Sequence, residues 1–239
     1  MRRAFAGMTV LVAVFGVHAE VLYRVPWTEG LSFTISQAPG DAVTTHIAAR
    51  NREAVDFGMP EGTSVLAARA GVVIETEARY GASKDEEPLT YEGNFVRVRH
   101  EDGTIATYAH LKHRGVAVAP GARVEAGTLL GYSGATGDAN GAHLHFGVSR
   151  QERGYEVSVP VRFTLGSPPI EFDPRRSLVV TANYTGAAEV PRTAAEYRFG
   201  LWKRPELPPE EMPKVWLTLA GLSAALVAGI VWFWKFSRG

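Results

Sequence analysis

The sequence predicts an all-β domain, a compact sandwich or barrel, followed by a single C-terminal transmembrane helix. From about residue 47 to residue 150 the chain consists of runs of 6 to 8 residues, rich in β-branched and aromatic residues and separated by Gly, Pro or Asp-Gly. No segment of useful length in this region repeats its apolar residues with a helical period, which favours strands. Residues 215–234 carry no charge, and a helix of that length spans the hydrocarbon core of a bilayer.

Residues 1–19 have the pattern of a signal peptide. Arg2 and Arg3 precede an apolar run at residues 4–17, which is short for a membrane span. The small residue Ala19 ends the segment, and we expect cleavage after it; an uncleaved anchor is the alternative. The following residues are therefore expected outside the cytoplasm.

The β domain is predicted at residues 46–166, after a lead-in at residues 20–45 that proline and glycine interrupt. In the run "NFVRVRH", Val96 and Val98 alternate with arginines, which predicts one strand face in the core and the other in solvent. The Glu-Asp-Gly sequence at residues 101–103 predicts the hairpin turn that joins this strand to the next.

The C-terminal part of the chain is predicted to connect the domain to a membrane. Residues 167–213 form a segment rich in proline and acidic residues, and its last part, "RPELPPEEMPK", indicates a stiff, extended linker. The transmembrane helix is predicted at residues 214–236, with tryptophans near both edges, where indole rings favour the membrane interface. Lys235 and Arg238 follow the apolar run and predict a cytoplasmic C-terminus. Together the two ends predict a periplasmic domain in the cell envelope, anchored in the inner membrane.

The composition limits the chemistry that the chain can perform. Its 239 residues include 25 Lys and Arg and 25 Asp and Glu, so the basic excess that nucleic-acid binding draws on is missing. The chain contains no cysteine, so a metal site has to use His, Asp, Glu or Asn. We therefore expect no nucleic-acid partner.

Three segments carry residues that could form one site. Asp56 follows an apolar pair, Tyr108 and His110 share a strand face in "ATYAHL", and His143 and His145 lie roughly 7 Å apart on one face of "GAHLHFGV". A catalytic zinc site uses about three His or carboxylate ligands and keeps one position open. Taken alone, each segment also has a structural explanation, such as a turn-initiating aspartate or surface histidines on a strand.

Taken in order, four blocks of the sequence resemble the lysostaphin/LytM-type zinc metallopeptidases. The blocks are "VDFGMPEGTSVLAARAGVV", "YAHL", "VEAGTLLGYSGATG" and "GAHLHFGV", and they cover roughly residues 50–150. The resemblance implies a compact all-β fold, a Zn2+ cofactor and the hydrolysis of peptide crosslinks in bacterial peptidoglycan. Peptidoglycan peptides would then be the partners of the domain.

The same resemblance implies a role for individual residues. Asp56 and His145 match zinc ligands. His110 and His143 match the two histidines that do not bind the metal but act on the water and the tetrahedral intermediate. Tyr108 would help to bind substrate, although aromatic packing in the core explains that residue equally well.

The sequence departs from the family pattern at one ligand. The family has a histidine four residues before the aspartate, and this chain has Arg52 there, which offers no lone pair to a metal. Asn51 and His46 are the possible replacements, and His46 is favoured because imidazole binds zinc better than an amide oxygen does. The alternative for His46 is a loop histidine without a role.

Two functions from different classes remain open at the sequence level. The first is a membrane-anchored, zinc-dependent endopeptidase of peptidoglycan. The second is a degenerate, non-catalytic LytM-like domain that binds the cell wall or regulates a cell-wall enzyme such as an amidase. A carrier-like β module is a weaker third idea, because the predicted location and the absence of a modifiable lysine turn argue against it.

Overall fold

The computed structural model describes residues 22–81 and 92–196, and all of its named elements in these ranges are strands. The chain divides into two units, residues 1–192 and residues 193–239, and the second is described only as far as residue 196. The strands are β1 (Leu22–Arg24), β2 (Ser32–Gln37), β3 (Val55–Gly58), β4 (Ser64–Leu66), β5 (Gly71–Glu77), β6 (Asn94–Arg99), β7 (Ile105–Val116), β8 (Arg123–Val124), β9 (Leu129–Ser133), β10 (Leu144–Glu152), β11 (Tyr155–Ser158), β12 (Arg162–Leu165), β13 (Ile170–Phe172), β14 (Leu178–Thr181) and β15 (Arg192–Thr193).

Most of these strands form one large, mainly antiparallel sheet. Its central order is β14-β2-β3-β10-β7-β6-β5-β8, while β11 pairs with β10 and β9 pairs with both β4 and β7. The hairpin predicted at residues 101–103 joins β6 to β7, which pair antiparallel. Its turn places Gly103 at a φ of 81°, a left-handed conformation that glycine adopts without steric cost.

A smaller sheet packs on one face of the large one. In it β1 pairs parallel to β12, and β12 pairs antiparallel to β13. Phe163 of β12 lies against Phe57 of β3 and Phe146 of β10, with ring centroids 5.6 and 5.8 Å apart. Tyr23 of β1 also contacts Phe146, at 5.7 Å. Such aromatic pairs contribute about 0.5–1.5 kcal/mol each beyond the burial of their area, so they fix one face of the large sheet as the core.

The alternation of side chains then leaves the opposite face of the large sheet for polar residues. On β6, Val96 and Val98 are fully buried, as the sequence predicted, while Arg97 points to the other side. On β10, Leu144 and Phe146 are likewise in the core. His145, which lies between them, and Gly147, which follows Phe146, line a groove on the other face.

The all-β part of the predicted fold class fits the structure, but its transmembrane helix has to be corrected. Across residues 22–81 and 92–196, no helix is both long enough and apolar enough to cross a membrane. The apolar run at residues 215–234 and the predicted signal peptide at residues 1–19 lie outside the described residues.

Strands also occur on both sides of the predicted domain boundaries, residues 46 and 166. Before residue 46, β1 pairs with β12 and β2 pairs with β3. After residue 166, β13 pairs with β12 and β14 pairs with β2. The predicted lead-in and the first part of the segment rich in proline and acidic residues therefore contribute strands to the two sheets, because backbone groups in a buried strand need partners from neighbouring strands.

The hydroxyl of Tyr108 provides a test of this core. Tyr108 is fully buried, and its oxygen accepts a hydrogen bond from the backbone N–H of Ala68 at 2.8 Å. We expect Tyr108→Phe to lower the free energy of unfolding by about 1–3 kcal/mol, because the Ala68 N–H loses its partner in a dry environment. Urea unfolding of the full chain measures this. Tyr155→Phe, at a position that is 76% exposed, is the control and should change stability by less than about 0.5 kcal/mol.

Candidate metal centre and histidine pair

A groove of about 880 Å³ lies on the polar face of the large sheet. Cross-strand pairing aligns one row of residues across this face: Gln37 of β2 is opposite Asp56 of β3, which is opposite His145 of β10, which is opposite Ala109 of β7. Neighbouring strands are about 4.8 Å apart, so adjacent side chains in such a row can contact one another. Three polar side chains of the groove, those of Gln37, Asp56 and His145, therefore lie side by side.

Three side chains in the groove converge on one point. Asp56 Oδ1 lies 3.1 Å from His46 Nε2 and 3.0 Å from His145 Nδ1. One ligand atom from each of the three residues lies within 4.8 Å of the other two. His46 and Asp56 are buried, and His145 is half-buried. The structure thus brings together two residues from the matched blocks and one histidine from the preceding loop.

His46 reaches the cluster from the loop between β2 and β3. Its Nδ1 lies 3.1 Å from the carbonyl oxygen of Ala54. A carbonyl only accepts hydrogen bonds, so Nδ1 carries a proton, and Nε2 is the ring nitrogen that faces Asp56. A backbone acceptor that fixes the tautomer of a histidine in this way is typical of metal ligands.

Asp56 is a buried carboxylate that its neighbours keep ionised. Burial by itself raises the pKa of this group, but hydrogen bonds from His145 and His46, and the charges of both imidazoles, outweigh that effect. The pKa of Asp56 therefore lies well below its usual range. At neutral pH the group is an anion, which is the form that binds a cation.

The three residues fit a zinc ion. The set of two imidazole nitrogens and one carboxylate oxygen is one that catalytic zinc sites use. Ligand atoms about 2.0–2.2 Å from a tetrahedral zinc lie roughly 3.4 Å apart, so the 3.0 and 3.1 Å separations need little adjustment. His46, Asp56 and His145 are therefore the residues that would hold the metal.

The structure also shows where Arg52 and its two possible replacements, Asn51 and His46, lie. Arg52 is exposed in a turn before β3 and is not part of the groove wall. Solvent therefore screens the charge of its guanidinium from the groove. Asn51 lines the groove, and its Oδ1 is buried without a hydrogen-bond partner among the described residues. His46, not Asn51, makes the contact with the Asp56 carboxylate.

His110 enters the groove through a break in the alternation of β7. Tyr108 and Leu111 are fully buried, yet His110 lines the groove beside Ala109. The pairing with β6 skips His110, whose φ is 62°, so this residue is a bulge in the left-handed conformation. A non-glycine residue in that region is strained, and such strain is concentrated at functional sites.

The prediction that Tyr108 and His110 share a strand face is therefore wrong, because the bulge turns the two side chains to opposite sides. Tyr108 lies in the core, with its ring 5.2 Å from that of Phe146. Its hydroxyl is used by the backbone of Ala68. The packing explanation of Tyr108 agrees with this position, and the side chain has no surface to offer to a substrate.

His110 and His143 form a pair of imidazoles beside the three-residue cluster, with ring centroids 4.5 Å apart. His110 Nδ1 donates to the carbonyl of Thr136 at 2.7 Å, and His143 Nδ1 donates to that of Gly141 at 2.9 Å. In both rings Nδ1 therefore carries a proton, and Nε2 is the nitrogen that remains for other partners. His143 Nε2 lies 3.8 Å from Asp56 Oδ2, which places it next to the cluster.

Burial keeps His110 neutral. It lowers the pKa of this imidazole to about 4, and the charges of His143 and His145 act in the same direction. At neutral pH the ring is therefore a proton acceptor with its lone pair on Nε2.

Sequence reasoning missed Gln37, whose Nε2 donates to Asp56 Oδ2 at 2.7 Å. The only signal in the sequence is a Ser-Gln pair at the end of a strand that otherwise alternates polar and apolar residues, and alternation alone does not assign this pair to a site.

Part of this chain is similar to known peptidases. Residues 50–157 match the sequence model of Peptidase family M23. The peptidoglycan DD-endopeptidase ShyA of Vibrio cholerae is 35% identical over 104 residues, which are 44% of this chain and 21% of the relative. The DD-carboxypeptidase/endopeptidase Mpg of Neisseria meningitidis is 34% identical over 116 residues, which are 48% of this chain and 23% of the relative. The chain thus spans about a fifth of the length of these relatives.

Among solved structures, a zinc-containing peptidase from Vibrio cholerae aligns with 58% of this chain and 39% of its own, with a TM-score of 0.42 and 24% identity. The family match and the two curated relatives, ShyA and Mpg, confirm the resemblance that the four sequence blocks indicated.

Metal binding by the full chain tests the three-residue cluster. We expect His46→Ala and His145→Ala each to lower zinc affinity by more than about 100-fold, because each removes a donor atom and not merely a supporting contact. Competition with a chromogenic chelator measures the affinity. Arg52→Ala and His113→Ala change exposed side chains and should leave it unchanged. Unaltered zinc binding by His46→Ala would exclude His46 as a ligand.

Proposed function

We propose that this chain, whose residues 50–157 are those of a Peptidase family M23 domain, is a zinc-dependent endopeptidase that hydrolyses peptide crosslinks of bacterial peptidoglycan. One observation carries the proposal: a three-residue cluster that suits zinc lies beside two histidines, His110 and His143, whose Nδ1 atoms are bound by backbone carbonyls, so that Nε2 is left for substrate or water. This combination supplies a metal ligand set and proton acceptors within one groove.

The proposed roles follow from the positions of the side chains. A zinc ion held by His46, Asp56 and His145 would polarise a peptide carbonyl and lower the pKa of a water molecule. His143 Nε2 lies 3.8 Å from Asp56 Oδ2, so it is suited to take a proton from the attacking water. His110 pairs with His143 and, once Nε2 has taken a proton, is suited to donate a hydrogen bond to the oxygen atoms of the tetrahedral intermediate or to pass that proton to the leaving amine.

Hydrogen bonds to backbone carbonyls hold the rings of His110 and His143 in place. The Thr136 and Gly141 carbonyls each bind an Nδ1–H, which holds the rings in orientation and in one tautomer. The lowered pKa of His110, about 4, leaves that ring uncharged at neutral pH, so it does not oppose a cation at the cluster. Because the rings are already oriented, little reorganisation of the site is needed during the reaction.

The names of the relatives support the choice of substrate. ShyA is called a peptidoglycan DD-endopeptidase, and Mpg a DD-carboxypeptidase/endopeptidase. The groove of this chain is lined by both polar groups and small residues, including Thr107 and Gly147 on neighbouring strands, which leaves room for a peptide. A location in the cell envelope, outside the cytoplasm, is proposed from the signal-peptide pattern of residues 1–19.

Peptide release from purified peptidoglycan tests the activity. With zinc present, the wild-type full chain should release fragments with new amino termini, which mass spectrometry identifies. We expect His143→Ala to lower the initial rate by about 100-fold or more, and His110→Ala to do the same, because proton transfer contributes on that scale.

Zinc affinity distinguishes the catalytic roles from loss of the metal. Both variants should bind zinc as the wild type does, since neither residue belongs to the cluster. His113→Ala, at an exposed position, is the control and should keep full activity. A wild-type chain that binds zinc and sediments with peptidoglycan, but releases nothing, would instead support a non-catalytic wall-binding domain.

A further inference from the structure

A β-bulge turns Gln37 towards the metal centre. Ile35 is buried in the core and pairs with Phe57, while Gln37 pairs with Asp56, so Ser36 is the extra residue between them. In regular alternation Ser36 would occupy the groove face and the next residue would return to the core. The bulge instead allows both Ser36 and Gln37 to line the groove.

The orientation of the Gln37 amide is determined by its partners. The backbone N–H of Thr45 can only donate, and it lies 2.9 Å from Gln37 Oε1. The other end of the amide is therefore the NH2 group. It donates to Asp56 Oδ2 at 2.7 Å. Asp56 Oδ1, the oxygen that contacts His46 and His145, does not share this donor.

The same amide connects the two parts of the metal centre. Thr45 immediately precedes His46, so the bond to Gln37 fixes the backbone of the loop at the residue before the ligand. The loop is also anchored further along, where Ser158 Oγ donates to the carbonyl of Ala49 at 2.9 Å. Gln37 is the contact that reaches both this loop and the carboxylate.

We propose that Gln37 is a positioning residue of the metal centre: it occupies Asp56 Oδ2, so that Oδ1 faces the two histidines, and it holds the loop that supplies His46. The inference rests on the zinc site of the proposed function. Gln37 and His46 both precede residue 50, where the family match begins, so the comparison assigns neither of them. The N-terminal strand β2 and its following loop thus complete a centre that the matched segment contains only in part.

Zinc affinity of the full chain tests this role. We expect Gln37→Met, which keeps the approximate length of the side chain but removes both hydrogen bonds, to weaken zinc binding by about 10–100-fold. Gln151→Met makes the same chemical change at an exposed position of β10 and should bind zinc as the wild type does. Affinity within about twofold of wild type in Gln37→Met would overturn the proposal.

A spectroscopic readout separates positioning from general support of the fold. In the Co2+-loaded full chain, Gln37→Met frees Asp56 Oδ2 to join the metal, so the visible absorption should weaken as the coordination number rises. An unchanged spectrum at saturating Co2+ would overturn the positioning role even if affinity fell.

Failure of this inference and failure of the proposed function give different results. A wild-type chain that binds zinc tightly but cleaves no peptidoglycan would refute the activity and leave the role of Gln37 supported by the affinity ratio. A chain that cleaves peptidoglycan, and whose Gln37→Met variant binds zinc normally, would refute only the role of Gln37.

Discussion

The buried carboxylate of Asp56 is the interaction on which the site depends. An isolated anion in this position would be costly, and the burial alone would favour its neutral form. Three polar side chains lie within hydrogen-bond distance of it: His46 and His145 at Oδ1, and Gln37 at Oδ2. The groove therefore holds a compensated negative charge, and each of these partners is constrained by its own place in the fold.

Regular strand geometry supplies most of this arrangement, and two irregularities supply the rest. Alternation on β3 and β10 places Asp56 and His145 on one face while their neighbours fill the core. The bulge at Ser36 and the left-handed His110 each bring to the groove a side chain that alternation would direct elsewhere. The sheet thus gains functional groups at two points where its pairing is locally broken.

The parts that the sequence could predict are those with a periodic or motif-like signal. The β class follows from short runs and alternation, as at Val96 and Val98, and the four blocks locate Asp56 and His145. The choice of His46 over Asn51 needed only ligand chemistry, and the structure places His46 against Asp56. The faces of Tyr108 and His110, the strands outside residues 46–166 and the role of Gln37 were not predictable in this way. They depend on bulges and long-range pairing, which leave no local pattern.

The division of the ligand set at residue 50 bears on how this domain can be exchanged between proteins. A fragment cut at the edges of sequence similarity would keep the histidine pair, but it would carry only two of the three donors, and it would lose Phe163, whose ring packs on β3 and β10. If such a fragment were fused to another protein, that protein would have to supply the histidine that replaces His46. In this chain, the segment that contains all three candidate metal ligands begins before the segment that the family match covers.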